Sequence, residues 1–198
     1  RQEDINALLI ERARAGAVVV RLKGGDPFLF GRGGEEAEEL ERAGIAWEVV
    51  PGVTSGIAVP AYAGIPLTHR DYASTVAFVA AYEYQDEPSV RWQELARSAG
   101  TLVLFMTSRQ LAHNMQALQA GGLPGDTPAA VIRWGTKARQ ETLVGTVATI
   151  AALAAERGLQ PPALAVVGQV VGLRDRLAWF ERKPLFGRRI VVTRARAQ

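Results

Sequence analysis

Cysteine is absent from the 198 residues, which excludes disulfides, thiolate metal sites and a cysteine nucleophile. Histidine occurs only at His69 and His113, so a histidine-based metal centre is not expected. No apolar run reaches the length of a membrane span and no signal peptide precedes the first helical pattern, so a cytoplasmic protein away from membranes is expected. An excess of one charge is lacking too. The net charge is +3 and no Lys/Arg-rich run occurs before the final residues, so nucleic acid is not an expected partner. What is present is 48% apolar and 22% charged residue content, in a chain long enough for one large domain or two small ones. It opens on Arg1 and at once in a helical pattern, from which a missing amino-terminal part is expected.

The richest stretch is Arg21-Leu22-Lys23-Gly24-Gly25-Asp26-Pro27-Phe28-Leu29-Phe30-Gly31-Arg32-Gly33-Gly34-Glu35-Glu36. It follows the β-branched run 17–20, read as a buried strand, and feeds a helix over 35–43 with carboxylates in its first turn. A loop at the carboxyl end of a strand is where open α/β sheets bind ligands. Gly24 and Gly25 have no Cβ, so backbone there can take positive φ and lie against a ligand. Asp26 is an acceptor for a ribose hydroxyl or an amine, and Arg32 a planar fork for carboxylate or phosphate. The plainer reading, a tight strand-to-helix connection without a ligand, stands beside this one.

Around that loop the pattern predicts a helix over 3–15 with Ile5, Leu8, Leu9 and Ala13 on one face, and a strand at 46–50. Rapid alternation of helix and strand predicts a parallel sheet here. The second strand runs into Pro51-Gly52-Val53-Thr54-Ser55-Gly56, with Thr54 as N-cap of a small-residue helix reaching about residue 63. Residues 65–71 read as a crossing into a second domain. There, strands are predicted at 76–79, 101–106, 128–134, 141–144 and 162–167. Helices are predicted at 92–98, 109–120 and 147–157, and a charged connection at 84–90. Met106 taken alone reads as a core gap-filler, His69 as satisfying its own loop, and His113 as structural. Arg109 and Arg133 read as solvated charges unless the ligand is polyanionic.

The run from Lys23 to Glu36 closely resembles the signature of the uroporphyrinogen-III C-methyltransferases, within the tetrapyrrole methylase family. The likeness continues through Val49-Val50-Pro51-Gly52-Val53-Thr54-Ser55 and Ala61-Tyr62-Ala63-Gly64-Ile65-Pro66-Leu67-Thr68-His69-Arg70-Asp71. It resumes at residues 101–106, at Gly135-Thr136 with Gln140, and at residues 162–173. Ala80-Ala81-Tyr82 and Thr107-Ser108 depart from the family pattern. The resemblance implies an α/β tetrapyrrole methylase fold of two domains with a cleft between them, the first incomplete. It implies boundaries at 1–72 and 73–182. It also implies S-adenosyl-L-methionine (SAM) as methyl donor, uroporphyrinogen III as substrate and a homodimer. By position it carries over Gly24, Gly25, Asp26, Leu29, Thr54, Ser55, Met106 and Gly135 as cofactor contacts. Arg32, Glu35 and Met106 carry over to substrate binding, with Arg32 and Glu35 in methyl transfer. The implied reaction is C-methylation at C2 and C7 to precorrin-2, on the route to siroheme or cobalamin.

The residues suit that chemistry. A carboxylate-rich tetrapyrrole fits arginines such as Arg32, Arg70, Arg109 and Arg133. Its pyrrole carbon is itself the nucleophile, so neither metal nor protein nucleophile is required and catalysis rests on positioning. Arg32 is expected to clamp a carboxylate, and Glu35 to orient Arg32 or accept a proton. The tail, Lys183-Pro184-Leu185-Phe186-Gly187-Arg188-Arg189-Ile190-Val191-Val192-Thr193-Arg194-Ala195, resembles the opening strand of uroporphyrinogen-III synthase, so residues 183–198 are expected to begin a further domain. Another precorrin methyltransferase, or a non-catalytic dimerisation or nucleotide-binding module, remains open as an alternative.

Overall fold

The computed structural model describes residues 1–81, 90–191 and 193. The chain divides into two compact units, 1–55 and 56–198.

In the first unit, α1 (Gln2–Arg14) has Glu3 and Asp4 in its first turn and Arg12 and Arg14 in its last, each sign matched to the helix dipole. Leu9 is buried, whereas Leu8 of the expected apolar face is half exposed. α2 (Gly33–Arg42) packs against α1 and buries Glu36 and Ala37. The strands expected at 17–20 and 46–50 are corrected: neither run forms a ladder. β-Branched residues favour an extended chain, but a strand requires a neighbour that takes up its N–H and C=O groups. Val18, Val20 and Leu22 are instead 97%, 82% and 85% exposed. The parallel sheet expected in this half is therefore not formed among the described residues.

The second unit is built on five strands: β1 (Val76–Ala80), β2 (Thr101–Phe105), β3 (Pro128–Arg133), β4 (Glu141–Thr146) and β5 (Ala163–Val167). They lie in the order β1-β2-β5-β3-β4. Only β1 and β2 pair in parallel; the other three pairings are antiparallel, so the sheet is mixed. From these pairings β1, β2 and β3 run one way and β4 and β5 the other.

Alternation along the strands sends residues to two cores. Leu102, Leu104, Val131, Ala165 and Val167 meet Trp92 of α4 (Trp92–Ser98), Met115 and Leu118 of α5 (Leu111–Ala120), and Ile150 of α6 (Ile150–Glu156). Val103, Ala130, Ile132, Leu164 and Val166 meet Val59 of α3 (Ser55–Tyr62), then Ala63, Ile65 and the 3-10 turn Gln169–Leu173. Cover on both faces explains why these strands read as unbroken apolar runs. Val103, Leu104 and Val166 are fully buried, and each such side chain contributes about 1.5–3 kcal/mol.

A short helix α7 (Arg174–Leu177) precedes a segment stapled by rings. Tyr62 meets Trp179 and Phe180, Phe180 meets Phe186, and the Trp179 indole donates to the Ala61 carbonyl at 3.0 Å. Ile190 and Val191 are exposed and unpaired, so the tail strand is not formed over those residues; 192 and 194–198 lie outside the described residues. The charged connection at 84–90 lies outside them as well, apart from Val90. Among the described residues no helix is long and apolar enough to cross a membrane, and no group of side chains is arranged to hold a metal ion.

Candidate functional site

In the first unit the glycine loop folds on its own backbone. The Leu29 N–H reaches the Asp26 carbonyl at 3.4 Å, and the Gly33 N–H the Pro27 carbonyl at 3.0 Å. Asp26 then acts twice. Its Oδ1 accepts from the Phe28 N–H at 2.9 Å, and its Oδ2 from the Gly52 N–H at 3.1 Å. The second bond ties the glycine loop to the loop before α3. The two backbones come so close that a Cβ on Gly52 would lie 2.2 Å from the Gly25 carbonyl oxygen. Gly25 sits at φ 77°, and a Cβ there would stand 3.6 Å from the Thr54 Cα. Gly25, Asp26, Thr54 and Ser55 are thus brought together, with Gly24 and the half-buried Leu29 on the same loop. Thr54 is buried and stands just before α3, at the expected N-cap position.

Arg32 occupies the N-cap position of α2 at φ 59°, a left-handed conformation that costs energy for a residue bearing a Cβ. Its Nε lies 3.0 Å from both carboxylate oxygens of Glu35. This hydrogen bond from Arg32 holds the Glu35 carboxyl below its ordinary value. One position on, Glu36 has a different environment. Its carboxylate accepts from Gln2 Nε2 at 3.0 Å, Arg21 Nε at 3.3 Å and Lys23 Nζ at 3.0 Å. Burial pushes the Glu36 pKa up, but bonds from Gln2 and Lys23 and the charges of Lys23 and Arg21 outweigh it, leaving the group below its ordinary value. Lys23 immediately precedes Gly24, so this cluster anchors the start of the glycine loop. An open apolar groove of about 410 Å³ lies elsewhere in the unit, lined by Leu8, Leu9, Val19 and Val20 among others, and none of the expected site residues lines it.

In the second unit the common direction of β2 and β3 puts Met106 and Gly135 just past strand ends at one edge of the sheet, with β5 between them. Two interstrand spacings separate those strands, about 10 Å. The core reading of Met106 is corrected: the residue is 50% exposed and held at φ 56°. Trp134 and Thr136, flanking Gly135, are also left-handed, at φ 51° and 67°. Non-glycine residues rarely take this region, and such strain gathers at ligand sites. Gly135 is required by close approach, since a Cβ would lie 2.5 Å from both methyls of Val59. Asn114 steadies the other turn: its amide donates to the Ala81 carbonyl at 3.0 Å and to Thr107 Oγ1 at 2.9 Å. The reading of Arg133 as a solvated charge is corrected as well. It is half-buried, its Nε lacks a hydrogen-bond partner among the described residues, and its guanidinium lies 5.8 Å from the Trp134 ring centre. Arg70 and Arg109 are exposed. His69 is engaged with its own loop, its Nδ1 accepting from the Asp71 N–H at 3.2 Å.

Close-packed glycine loops in the first unit, and left-handed turns at the strand ends of the second, mark this α/β chain. Residues 1–151 match the Tetrapyrrole (Corrin/Porphyrin) Methylases, and the chain belongs to this family. It is 52% identical over 176 residues to the S-adenosyl-L-methionine-dependent uroporphyrinogen III methyltransferase of Methanosarcina barkeri, covering 88% of this chain and 69% of that one. A siroheme synthase of Neisseria meningitidis is 54% identical over 179 residues, which are 90% of this chain but only 37% of that protein. The chain therefore spans a little over a third of its siroheme synthase relatives. Among solved structures, uroporphyrin-III C-methyl transferase from Thermus thermophilus, complexed with S-adenyl homocysteine, superposes with a TM-score of 0.76 and 35% identity. That likeness covers 87% of this chain and 75% of the other.

Sequence reasoning missed the engagement of Asp26 with Gly52 and the roles of Glu36 and Asn114. Only Glu36 left a trace in the pattern, as a second acid beside Glu35. Nothing in the sequence marks Asn114, because its partners come from two separate strand ends.

Proposed function

We propose that the chain is a SAM-dependent methyltransferase that methylates uroporphyrinogen III at C2 and C7 to give precorrin-2. The observation that carries this reading is the clamp of Asp26 on the Gly52 N–H, which sets two glycine-bearing loops backbone to backbone. The residues fit a nucleoside-bearing donor: at Gly24 a Cβ would meet nothing within 4 Å, and Met106 stands half exposed at a strand end. Gly24, Gly25, Asp26, Leu29, Thr54, Ser55, Met106 and Gly135 would hold SAM, whose sulfonium supplies an already activated methyl group.

Both Asp26 oxygens already accept backbone N–H groups. A carboxylate has further lone pairs, so it fixes the loops and still has acceptor capacity for a ligand. Arg32 and Met106 face the substrate in this reading. Glu35, held ionised by Arg32, is a weak base, which favours its orienting Arg32 over its accepting a proton. Arg133, with a buried donor nitrogen lacking a partner among the described residues, suits a substrate carboxylate. The chain's own part in catalysis is alignment and exclusion of water.

The same reading takes residues 1–72 and 73–182 as the two domains of a homodimeric cytoplasmic enzyme needing no metal, nucleic acid or membrane. Residues 183–198 would open a synthase-like domain. Calorimetric titration with S-adenosylhomocysteine, ATP and NAD tests the ligand class: binding of the first alone is expected, and preference for either nucleotide overturns the reading. With uroporphyrinogen III, Arg32→Ala should lower turnover at least about tenfold, the scale of losing a charge-assisted bidentate contact. Unchanged turnover removes Arg32 from the mechanism.

A further inference from the structure

The turn around Gly135 is held from a residue far along the chain. The Thr136 N–H donates to Gln140 Oε1 at 2.8 Å, and Gln140 is buried at 5% exposure. The other end of that side-chain amide, Nε2, donates to Glu181 Oε1 at 2.8 Å. Thr142 Oγ1 donates to the same oxygen at 2.6 Å, while Arg174 pairs with Oε2 and also donates to the Ala63 carbonyl. Arg174 and Glu181 are largely buried, with side chains 14% and 17% exposed.

The order of donors and acceptors matters more than the number of bonds. A primary amide has one donor end and one acceptor end, and it can be turned over with little change in shape. An ionised carboxylate only accepts. Facing Glu181, Gln140 must present its NH2 group there, and its oxygen then points to Thr136. Turned the other way, it would set oxygen against carboxylate and NH2 against the Thr136 N–H, two repulsive contacts. Burial pushes the Glu181 carboxyl up, but bonds from Arg174, Thr142 and Gln140 outweigh it, so the group stays ionised.

We propose that Glu181 is a positioning residue that fixes the amide orientation of Gln140 and thereby holds the Gly135–Thr136 turn ready for the methyl donor. The donor's place at this turn rests on the proposed function; the control of the turn by Glu181 does not. Thr136 at φ 67° and Trp134 at φ 51° both need an outside hold, because their local preference is to relax. The Lys137 N–H to Trp134 carbonyl bond, 3.1 Å, closes the turn itself, and the Gln140 amide is the brace across it.

The test is amide hydrogen exchange at Thr136 in the full chain, read beside calorimetric titration with S-adenosylhomocysteine. In Glu181→Ala, exchange at Thr136 should quicken roughly tenfold, the scale of one net hydrogen bond, while Val103 and Val166 in the sheet core keep their protection. Affinity for S-adenosylhomocysteine should fall about fivefold to tenfold. Gln140→Glu should loosen the same amide by placing two carboxylates face to face. The exchanged pair Gln140→Glu with Glu181→Gln restores the donor–acceptor order and should bring Thr136 protection back. Unchanged Thr136 exchange in Glu181→Ala, or an exchanged pair as loose as Gln140→Glu alone, overturns the proposal. So does a uniform loss of protection through the core, which would make Glu181 only a structural staple. A wild-type chain that binds no S-adenosylhomocysteine sinks the donor reading, and Thr136 exchange still decides the role of Glu181.

Discussion

Gly52→Ala should weaken S-adenosylhomocysteine binding by one to two orders of magnitude while leaving the second unit folded. The new Cβ would lie 2.2 Å from the Gly25 carbonyl oxygen and 3.0 Å from its carbon, and neither atom belongs to a side chain that can swing aside. The loops must part, and the bond from the Gly52 N–H to Asp26, 3.1 Å, stretches with them. Forcing a methyl into such a contact costs about 1–3 kcal/mol, which is roughly tenfold to a hundredfold in affinity. Calorimetry on the variant measures it. Gly34→Ala is the matched control, because a Cβ there meets nothing within 4 Å and alanine suits the helix in which it lies. Equal affinity in both variants would mean that the two loops do not form the donor site.

Removing the Glu36 carboxylate should have the largest effect on stability. In Glu36→Ala the Lys23 side chain, 11% exposed, loses its carboxylate partner. Breaking one side of a buried pair costs about 3–5 kcal/mol, far above the scale of the surface pairs on α2 such as Arg42 with Glu38. Urea unfolding followed by circular dichroism reads this directly. The pH dependence gives a second check with a fixed sign. The Glu36 carboxyl is lowered from 4.5 in the folded chain, so its contribution is present above that value and drains away as pH falls through the folded pKa. The stability gap between wild type and Glu36→Gln should therefore be constant from neutral pH down towards the ordinary carboxyl value of 4.5 and narrow as pH falls through the lower folded pKa. A gap that widens on acidification would contradict the assignment of the shift.

The second unit was largely legible in its residues because each strand is covered on both faces. Residues 102–106 and 163–167 are unbroken apolar runs, the first bounded by Thr101 and Thr107 and the second by Pro162 and Gly168, a pattern that needs no knowledge of the partner strand. Pairing direction was not legible in the same way, since apolar strands look alike in parallel and antiparallel ladders. In the first unit the run 17–20 satisfied every local rule for a strand and still lacks a ladder. Local propensity favours an extended chain but supplies no neighbour. At the candidate site, glycines and Arg32 announced themselves through composition and spacing. Asp26 was visible as a polar group but not as a clamp, because its second partner, Gly52, contributes a backbone N–H that no residue letter marks. Met106 misled for a related reason: its side-chain chemistry argued for the interior, whereas its left-handed backbone, invisible in sequence, turned it outward.

The strand order has a consequence for how the chain is made. β5 occupies the middle of the sheet yet is the last of its five strands to be synthesised, and β2 and β3 meet only through it. A ribosome that has released residues up to 151 has delivered two separate ladders, β1 with β2 and β3 with β4, each presenting an open edge. Closure waits on β5, so the nascent chain depends on protection from edge-to-edge association until residue 167 emerges.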